Sequence, residues 1–147
     1  MRRKERKKPW TARHSLTIVA ATCLTVWLCG YLWLTPGSRP SAFCGNAIAD
    51  WSGSLMIILG TKFFYEVGSS ESQPVRRRSR NRLWELLREH SLLIIIGLTG
   101  LIWLVLFRRM NPDSKWGQVV GNLLSEWVQM AGLVFLTKRL VEIGSKE

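Results

Sequence analysis

The chain has 147 residues, of which 47% are hydrophobic and 21% charged, and its formal net charge is +11. The apolar residues are concentrated in four long runs that are uncharged or contain one carboxylate and at most one lysine, which leaves no room for a water-soluble domain. The composition therefore excludes a soluble nucleic-acid-binding fold and predicts an all-α membrane protein, because a helix satisfies its own backbone hydrogen bonds in lipid.

Four transmembrane helices are predicted, arranged as two helical hairpins. The hairpins occupy residues 14–71 and 90–147, and a basic segment precedes each of them. The second basic segment ends in a short amphipathic helix, in which apolar residues alternate with charges. In chain order the predicted segments are a basic N-terminus at 1–13, spans at about 15–34 and 46–66, a basic loop with the amphipathic helix at 72–89, and spans at about 91–109 and 119–141.

Positive charge marks the predicted cytoplasmic side. Seven Lys and Arg residues precede the first span and six Arg residues lie between the second and third, whereas the two opposite loops hold fewer. Because loops rich in Lys and Arg stay in the cytoplasm, we expect both termini and the central loop to be cytoplasmic. The same basic face is expected to attract anionic lipid of the bilayer.

The two halves of the chain resemble each other. Sliding the sequence by 76 positions aligns polar, aromatic and turn residues without a gap. Hydrophobic composition alone would not keep these residues in register, so we interpret the hairpins as a tandem duplication. The two parallel repeats would then be related by a pseudo-twofold axis along the membrane normal. The aligned pairs include His14 with His90, Pro36 with Pro112, Asn46 with Asn122, Asp50 with Glu126, and Lys62 with Lys138.

Ser15 and Ser91 open the first and third spans, each after a histidine. A serine side chain can accept a hydrogen bond from a free N–H at a helix start, so both are predicted N-caps. His14 and His90 are then interfacial residues, with a pH-sensing or metal-binding pair as the alternative. The three cysteines lack metal-ligand spacing and are expected to be unpaired.

The second and fourth spans contain the residues best suited to a function. Steps of three or four positions place the polar residues of each span on one helix face. A carboxylate that faces lipid is costly, so we expect this polar stripe to point into the bundle, with its acids near the outer end. The candidate intramembrane polar site consists of Asn46, Asp50, Asn122, Glu126 and Gln129.

Two functions fit this site. In the first, the protein has a structural, accessory or interaction role, and the acids bond to neighbouring helices and fix packing or dimerisation. The alternative is a small transporter or channel linked to protons or cations, in which Asp50 and Glu126 converge and one of the two holds a proton. Four helices are few for a carrier, so transport would need a homodimer or a larger membrane complex.

At the inner ends of the same spans, Lys62 stands four residues before Glu66 and Lys138 stands four residues before Glu142. This spacing predicts two ion pairs at the cytoplasmic interface. The sequence has no phosphate-binding glycine loop, metalloprotease helix or nucleophile elbow. No enzyme activity, catalytic residue, metal site or cofactor is therefore predicted.

The second half also carries a family resemblance. Ser-Glu-Trp-Val-Gln-Met-Ala at 125–131, Leu-Thr at 136–137 and Gly-Ser-Lys-Glu at 144–147 together resemble the C-terminal signature of an uncharacterised family of small bacterial integral membrane proteins. Leu-Arg-Glu-His-Ser-Leu at 87–92 is similar to that family's entry into an apolar helix, so the resemblance lies mainly in residues 87–147. The resemblance implies a location in a bacterial inner membrane and a functional role for Glu126 and Gln129. The family has no assigned activity.

Overall fold

The computed structural model describes residues 9–69, 81–138 and 140. Within these residues the chain is all-helical, and four of its helices are long and apolar enough to cross a membrane, as predicted. This is the architecture expected of a multi-pass membrane protein. In chain order the helices are α1 (Trp10–Arg13), α2 (Ser15–Trp33), α3 (Arg39–Phe63), α4 (Arg82–Glu89), α5 (Ser91–Arg109) and α6 (Lys115–Leu136).

α3 and α6 begin earlier than the predicted spans, because their first turns are polar and each starts at a serine cap. Ser38 Oγ accepts a hydrogen bond from the N–H of Ser41 at 3.3 Å. Ser114 Oγ likewise accepts one from the N–H of Gly117 at 3.0 Å. These caps extend α3 back to Arg39 instead of residue 46, and α6 back to residue 115 instead of 119. A hydropathy pattern does not register such polar turns.

The prediction that Ser15 and Ser91 are N-caps is wrong. His14 and His90 hold the cap positions of α2 and α5, and neither makes a cap hydrogen bond through its side chain. Ser91 is instead the first residue of α5, and its Oγ accepts a hydrogen bond from the N–H of Tyr65 at 2.9 Å. The serine therefore attaches the segment that follows α3 to the start of α5.

α3 and α6 form the central pair of the bundle. α2 packs against α3, α5 packs against α6, and within the described residues α2 and α5 do not contact each other. The order across the molecule is thus α2, α3, α6, α5, with a small additional contact between α3 and α5. The four long helices therefore do not close into a ring around a common centre.

Glycines allow the two helices of each hairpin to approach closely. A Cβ built on Gly45 of α3 would lie 3.4 Å from the Tyr31 ring of α2, and one on Gly121 of α6 would lie 3.4 Å from the Phe107 ring of α5. Both contacts occur two residues before the last residue of α2 or α5. Between the central helices the core is built of buried side chains that include Ile48, Ala49, Val119 and Leu123.

Lys115 joins the two halves at the end of the bundle that contains residues 34–38 and 110–114, which we call the loop end. Its Nζ donates to the carbonyl oxygen of Leu34 at 2.8 Å and to that of Tyr31, and it lies 4.6 Å from the centre of the Tyr31 ring. The last carbonyl groups of a helix lack intrahelical partners and carry partial negative charge. The first residue of α6 therefore caps the C-terminus of α2.

Candidate functional site

The polar stripes of α3 and α6 meet on one face of the central pair. Asn122 Nδ2 donates a hydrogen bond to Asn46 Oδ1, which joins residues 76 positions apart. One turn further along the helices, the carboxyl groups of Asp50 and Glu126 lie within hydrogen-bonding reach of each other. The structure thus brings the predicted polar residues of the two spans into contact in matching pairs.

The acid pair lies deeper within the helices than expected, since the sequence predicted a position near the outer ends of the spans. Asp50 follows Gly45 by five residues, and Gly45 is level with Tyr31, two residues before the end of α2. At about 1.5 Å per residue, Asp50 lies about 10 Å below the end of α2. Because α2 is about 28 Å long, close to the thickness of the hydrocarbon core, this is about a third of the way through the bundle.

The prediction that the stripe points into the bundle is wrong. Asn46, Asp50 and Gln129 are exposed, and Glu126 is half-buried. The opposite side of the central pair is already occupied by the buried apolar core, and the row of helices encloses no centre for a polar stripe to face. The candidate site is therefore an outward surface of the isolated chain.

An open groove of about 750 Å³ runs along this surface, and we call it the acidic groove. Polar side chains line the part near Asp50 and Glu126, and mostly apolar or small residues line the remainder. Gly53 makes room for the acid, because a Cβ there would lie 3.2 Å from Glu126 Oε2. The groove is lined by Asp50, Gly53, Ser54, Ile57, Glu126, Gln129, Met130, Gly132, Leu133 and Leu136.

A second polar cluster lies at the opposite end of the bundle, where α2 and α5 begin, which we call the basic end. Glu66 is completely buried, and its Oε1 bonds to Lys138 Nζ and, at 2.6 Å, to His90 Nδ1. Its Oε2 accepts the N–H of Leu93 at 3.2 Å, in the first turn of α5. Burial raises the pKa of Glu66, but the hydrogen bonds from Lys138, His90 and Leu93 outweigh it and hold the pKa below its ordinary value.

This basic-end cluster replaces the predicted pairing of Lys62 with Glu66. α3 ends at Phe63 and the chain turns at Gly68, whose φ is +79°, so Lys62 and Glu66 do not share a helix. Lys62 Nζ lies 2.8 Å from His14 Nδ1 instead. Glu142, the predicted partner of Lys138, is outside the described residues. In the sequence, the glycine at position 68 shortly after an apolar run was the available sign of this turn.

The histidines and cysteines do not form a metal site in the part of the chain that the structure describes. No group of three or more His, Cys, Asp or Glu there could hold a metal ion. His14 contacts a lysine and His90 contacts a glutamate, so the two histidines have separate partners. The cysteines are free, as predicted.

No family model, curated protein or solved structure matches this chain. The resemblance in residues 87–147 therefore stays a prediction, and the function has to be inferred from the geometry of the acidic groove and the basic-end cluster.

Proposed function

We propose that this chain is a bacterial inner-membrane protein with a structural, accessory or interaction role, and that it associates with other membrane proteins through the acidic groove. The four apolar helices support the membrane location. The excess of Arg and Lys before α2 and between α3 and α5 supports a cytoplasmic placement of both termini and of the basic end. No catalytic role is part of this proposal.

The proposal includes a tandem duplication of one hairpin. α2 and α5 have the same length, and their first residues are 76 positions apart, as are those of α3 and α6. The capping serines Ser38 and Ser114 have the same separation and nearly identical backbone angles. Two copies of one hairpin related by a pseudo-twofold axis would bring α3 and α6 together at matching positions, which fits the bond between Asn46 and Asn122.

The outward direction of the acid pair is the observation that carries the interaction role. Lipid provides no hydrogen bonds, and insertion scales put the cost of an ionised carboxylate in the middle of a membrane helix at several kcal/mol. Asp50 and Glu126 lie about 10 Å inside the bundle by the helix rise, where a lipid-facing position would carry much of that cost. Polar side chains at this depth stabilise contacts between helices, so a further protein surface would cover the groove.

Photo-crosslinking in native membranes tests this role. We expect a photoreactive amino acid at Ser54, in the groove, to give protein adducts in several-fold higher yield than one at Val128 of α6. Val128 is 64% exposed and is not among the groove residues, so it is the matched lipid-facing control. Equally low yields of protein adducts at both positions would contradict an assembly role for the groove.

Transport is the second candidate, and the close approach of Asp50 and Glu126 favours it. Two carboxyl groups within hydrogen-bonding reach can share a proton or bind a cation. An open groove cannot enclose a path across the membrane, so conduction would require a homodimer or a larger complex. Proton or cation flux in proteoliposomes that is lost in Asp50→Asn or Glu126→Gln would support transport over the accessory role.

The basic end also supports an interaction with anionic lipid. α4 exposes Leu83, Trp84, Leu86 and Leu87, and basic residues stand at both of its ends. A helix of this kind lies in the membrane interface with its apolar side chains among the lipid chains and its cations at the headgroups. Nucleic acid is not a proposed partner, because topology already explains the positive charge.

A further inference from the structure

The acid pair has no counter-charge within the described part of the chain. The cationic side chains of the bundle make their contacts elsewhere: Lys62 bonds to His14, Lys138 bonds to Glu66, and Lys115 bonds to the end of α2. Glu126 and Asp50 instead face each other. The acidic groove therefore presents negative charge that is not neutralised by this part of the molecule.

The rest of the groove is open and is lined mostly by apolar or small residues. From Glu126 it continues along α6 to Leu136, ten residues or about 15 Å, past the apolar side chains of Ile57 and Leu133. A Cβ built on Gly132 would meet no atom within 4 Å, so the wall is open at that point. Small residues in a membrane-facing surface let a second backbone approach closely, and the contact is then held by packing and hydrogen bonds.

A second copy of this chain does not supply the missing charge. The basic residues within the four long helices lie in their first or last turns, so copies aligned at the same depth would bring no cation to the acid pair. They would instead place two more carboxyl groups beside Asp50 and Glu126. Like charges close together in a medium of low dielectric constant repel strongly.

We propose that the occupant of the acidic groove is a transmembrane helix of another protein that carries one Lys or Arg side chain at the depth of Asp50 and Glu126. The cation pairs with the two carboxyl groups, and the apolar residues that follow it along the partner helix pack against Ile57, Leu133 and Leu136. This inference rests on the proposed interaction role and specifies the chemistry of the partner.

The test measures association of the reconstituted full-length chain with polyleucine transmembrane peptides by energy transfer in phosphatidylcholine vesicles. One peptide carries a single Lys about a third of the way along, and the matched peptide carries Leu at that position. We expect the Lys peptide to bind the native chain about tenfold more tightly, which is the size of effect that interhelical polar contacts give in model peptides. Asp50→Asn combined with Glu126→Gln should abolish this preference.

Two further variants separate charge recognition from a folding defect. Asp113→Asn removes an exposed carboxylate at the loop end, outside the groove, and should keep the tenfold preference. Gly132→Trp keeps both acids but fills the groove, and it should weaken binding of the Lys and Leu peptides alike. If Gly132→Trp leaves Lys-peptide binding unchanged, the partner does not occupy the groove and the inference is wrong.

The remaining outcomes also decide the inference. Equal binding of the Lys and Leu peptides by the native chain would overturn a cation-bearing partner. Energy transfer between differently labelled copies of the chain that excludes both peptides, and is lost in the double acid variant, would overturn it in favour of a homodimer. With either result, the interaction role of the groove is still supported if Ser54 crosslinks to protein in native membranes. The proposed function and the proposed cation-bearing partner can therefore be rejected independently.

Discussion

Replacing Glu66 with Gln is expected to lower the free energy of unfolding by about 3 kcal/mol. Glu66 is completely buried, while Lys138 is 19% exposed, so the change leaves an ammonium group partly buried without its counter-charge. Removing one partner of a buried ion pair costs more than the pair itself contributes, because the remaining charge is uncompensated. Unfolding by dodecyl sulfate in mixed micelles, followed by circular dichroism, measures the loss.

Asp113→Asn, an exposed carboxylate in the 110–114 loop, is the matched control and should change stability by less than about 0.5 kcal/mol. Changing Glu66 and Lys138 together to Gln should restore part of the loss, because the unpaired charge is then gone as well. A Glu66→Gln chain as stable as the Asp113→Asn chain would show that the basic-end cluster does not hold the two halves together.

The same residue predicts how stability depends on pH. The pKa of Glu66 is lower in the folded chain than its ordinary value of 4.5, so the ionised form is the one that the fold favours. Its contribution is fully present above pH 4.5 and is lost as the pH falls through the folded-state pKa. The stability difference between native chain and Glu66→Gln should therefore shrink in acid. A difference that stays constant down to acid pH would contradict this assignment.

Gly117→Ala is expected to cost about 2 kcal/mol, because the first turn of α6 has no room for a side chain. A Cβ at this position would overlap the carbonyl oxygen of Asn111 and lie 2.8 Å from Ser114 Oγ. Both atoms belong to the turn that caps α6, so neither can move without breaking the cap. The same micelle unfolding experiment measures the effect.

Gly132→Ala is the matched control on the same helix. Because its Cβ would meet no atom within 4 Å, alanine should raise stability by about 0.5 to 1 kcal/mol through its better helix propensity. Equal effects of the two substitutions would contradict the close contact at Gly117.

The first hairpin suggests a way to rescue Gly117. The position 76 residues earlier is Ser41, which is buried and already has a side chain. The turn before it contains Gly37 with a φ of +77°, whereas the second turn has Asp113 at the matching position, and no described non-glycine residue has a positive φ. We attribute the room for a side chain at Ser41, and its absence at Gly117, to the different backbone paths of the two preceding turns. Asp113→Gly combined with Gly117→Ser should therefore recover stability that Gly117→Ser alone loses.

The positions of α2 and α5 could be predicted because each contains a long uncharged apolar run, which in α5 ends at Phe107 before two arginines. The predicted spans at about 15–34 and 91–109 compare with Ser15–Trp33 and Ser91–Arg109 in the structure. The starts of α3 and α6 could not be predicted in the same way, since polar turns that begin at capping serines carry no hydropathy signal. The ends of α3 and α6 were predicted too late, because the Lys and Glu residues near them keep a four-residue helical spacing in the sequence. α3 nevertheless ends at Phe63 and α6 at Leu136.

The direction of the polar stripe could not be derived from the sequence. Periodicity shows which residues share a helix face, but it does not show whether that face meets the interior or the surroundings. The cost of an acid in lipid pointed to the interior, an inference that assumes a closed four-helix ring. Because α2 and α5 do not contact each other in the part of the chain that the structure describes, the face with Asp50 and Glu126 lies outside, and a partner would have to cover it.

The partners of Glu66 could not be predicted from the sequence for a different reason. A spacing of four residues predicts a contact only while the helix continues, and α3 ends between Lys62 and Glu66. The contacts that replace it join residues 24 and 72 positions apart in the sequence. Only the packing of the two hairpins brings such residues together.

The acidic groove exists only if α3 and α6 lie side by side at Asn46 and Asn122. The direct test is a chain without Cys23, Cys29 and Cys44 that carries Asn46→Cys and Asn122→Cys, treated in membranes with dibromobimane, which fluoresces when it bridges two thiols. The matched control pairs Asn46→Cys with Leu124→Cys, whose side chain points about 200° around α6 from Asn122.

The structure predicts a fluorescent monomer from the Asn46 and Asn122 pair and little signal from the Asn46 and Leu124 pair. Bridging of the control pair but not of the Asn46 and Asn122 pair would mean that the two polar stripes do not meet, and the groove and its proposed partner would both be wrong.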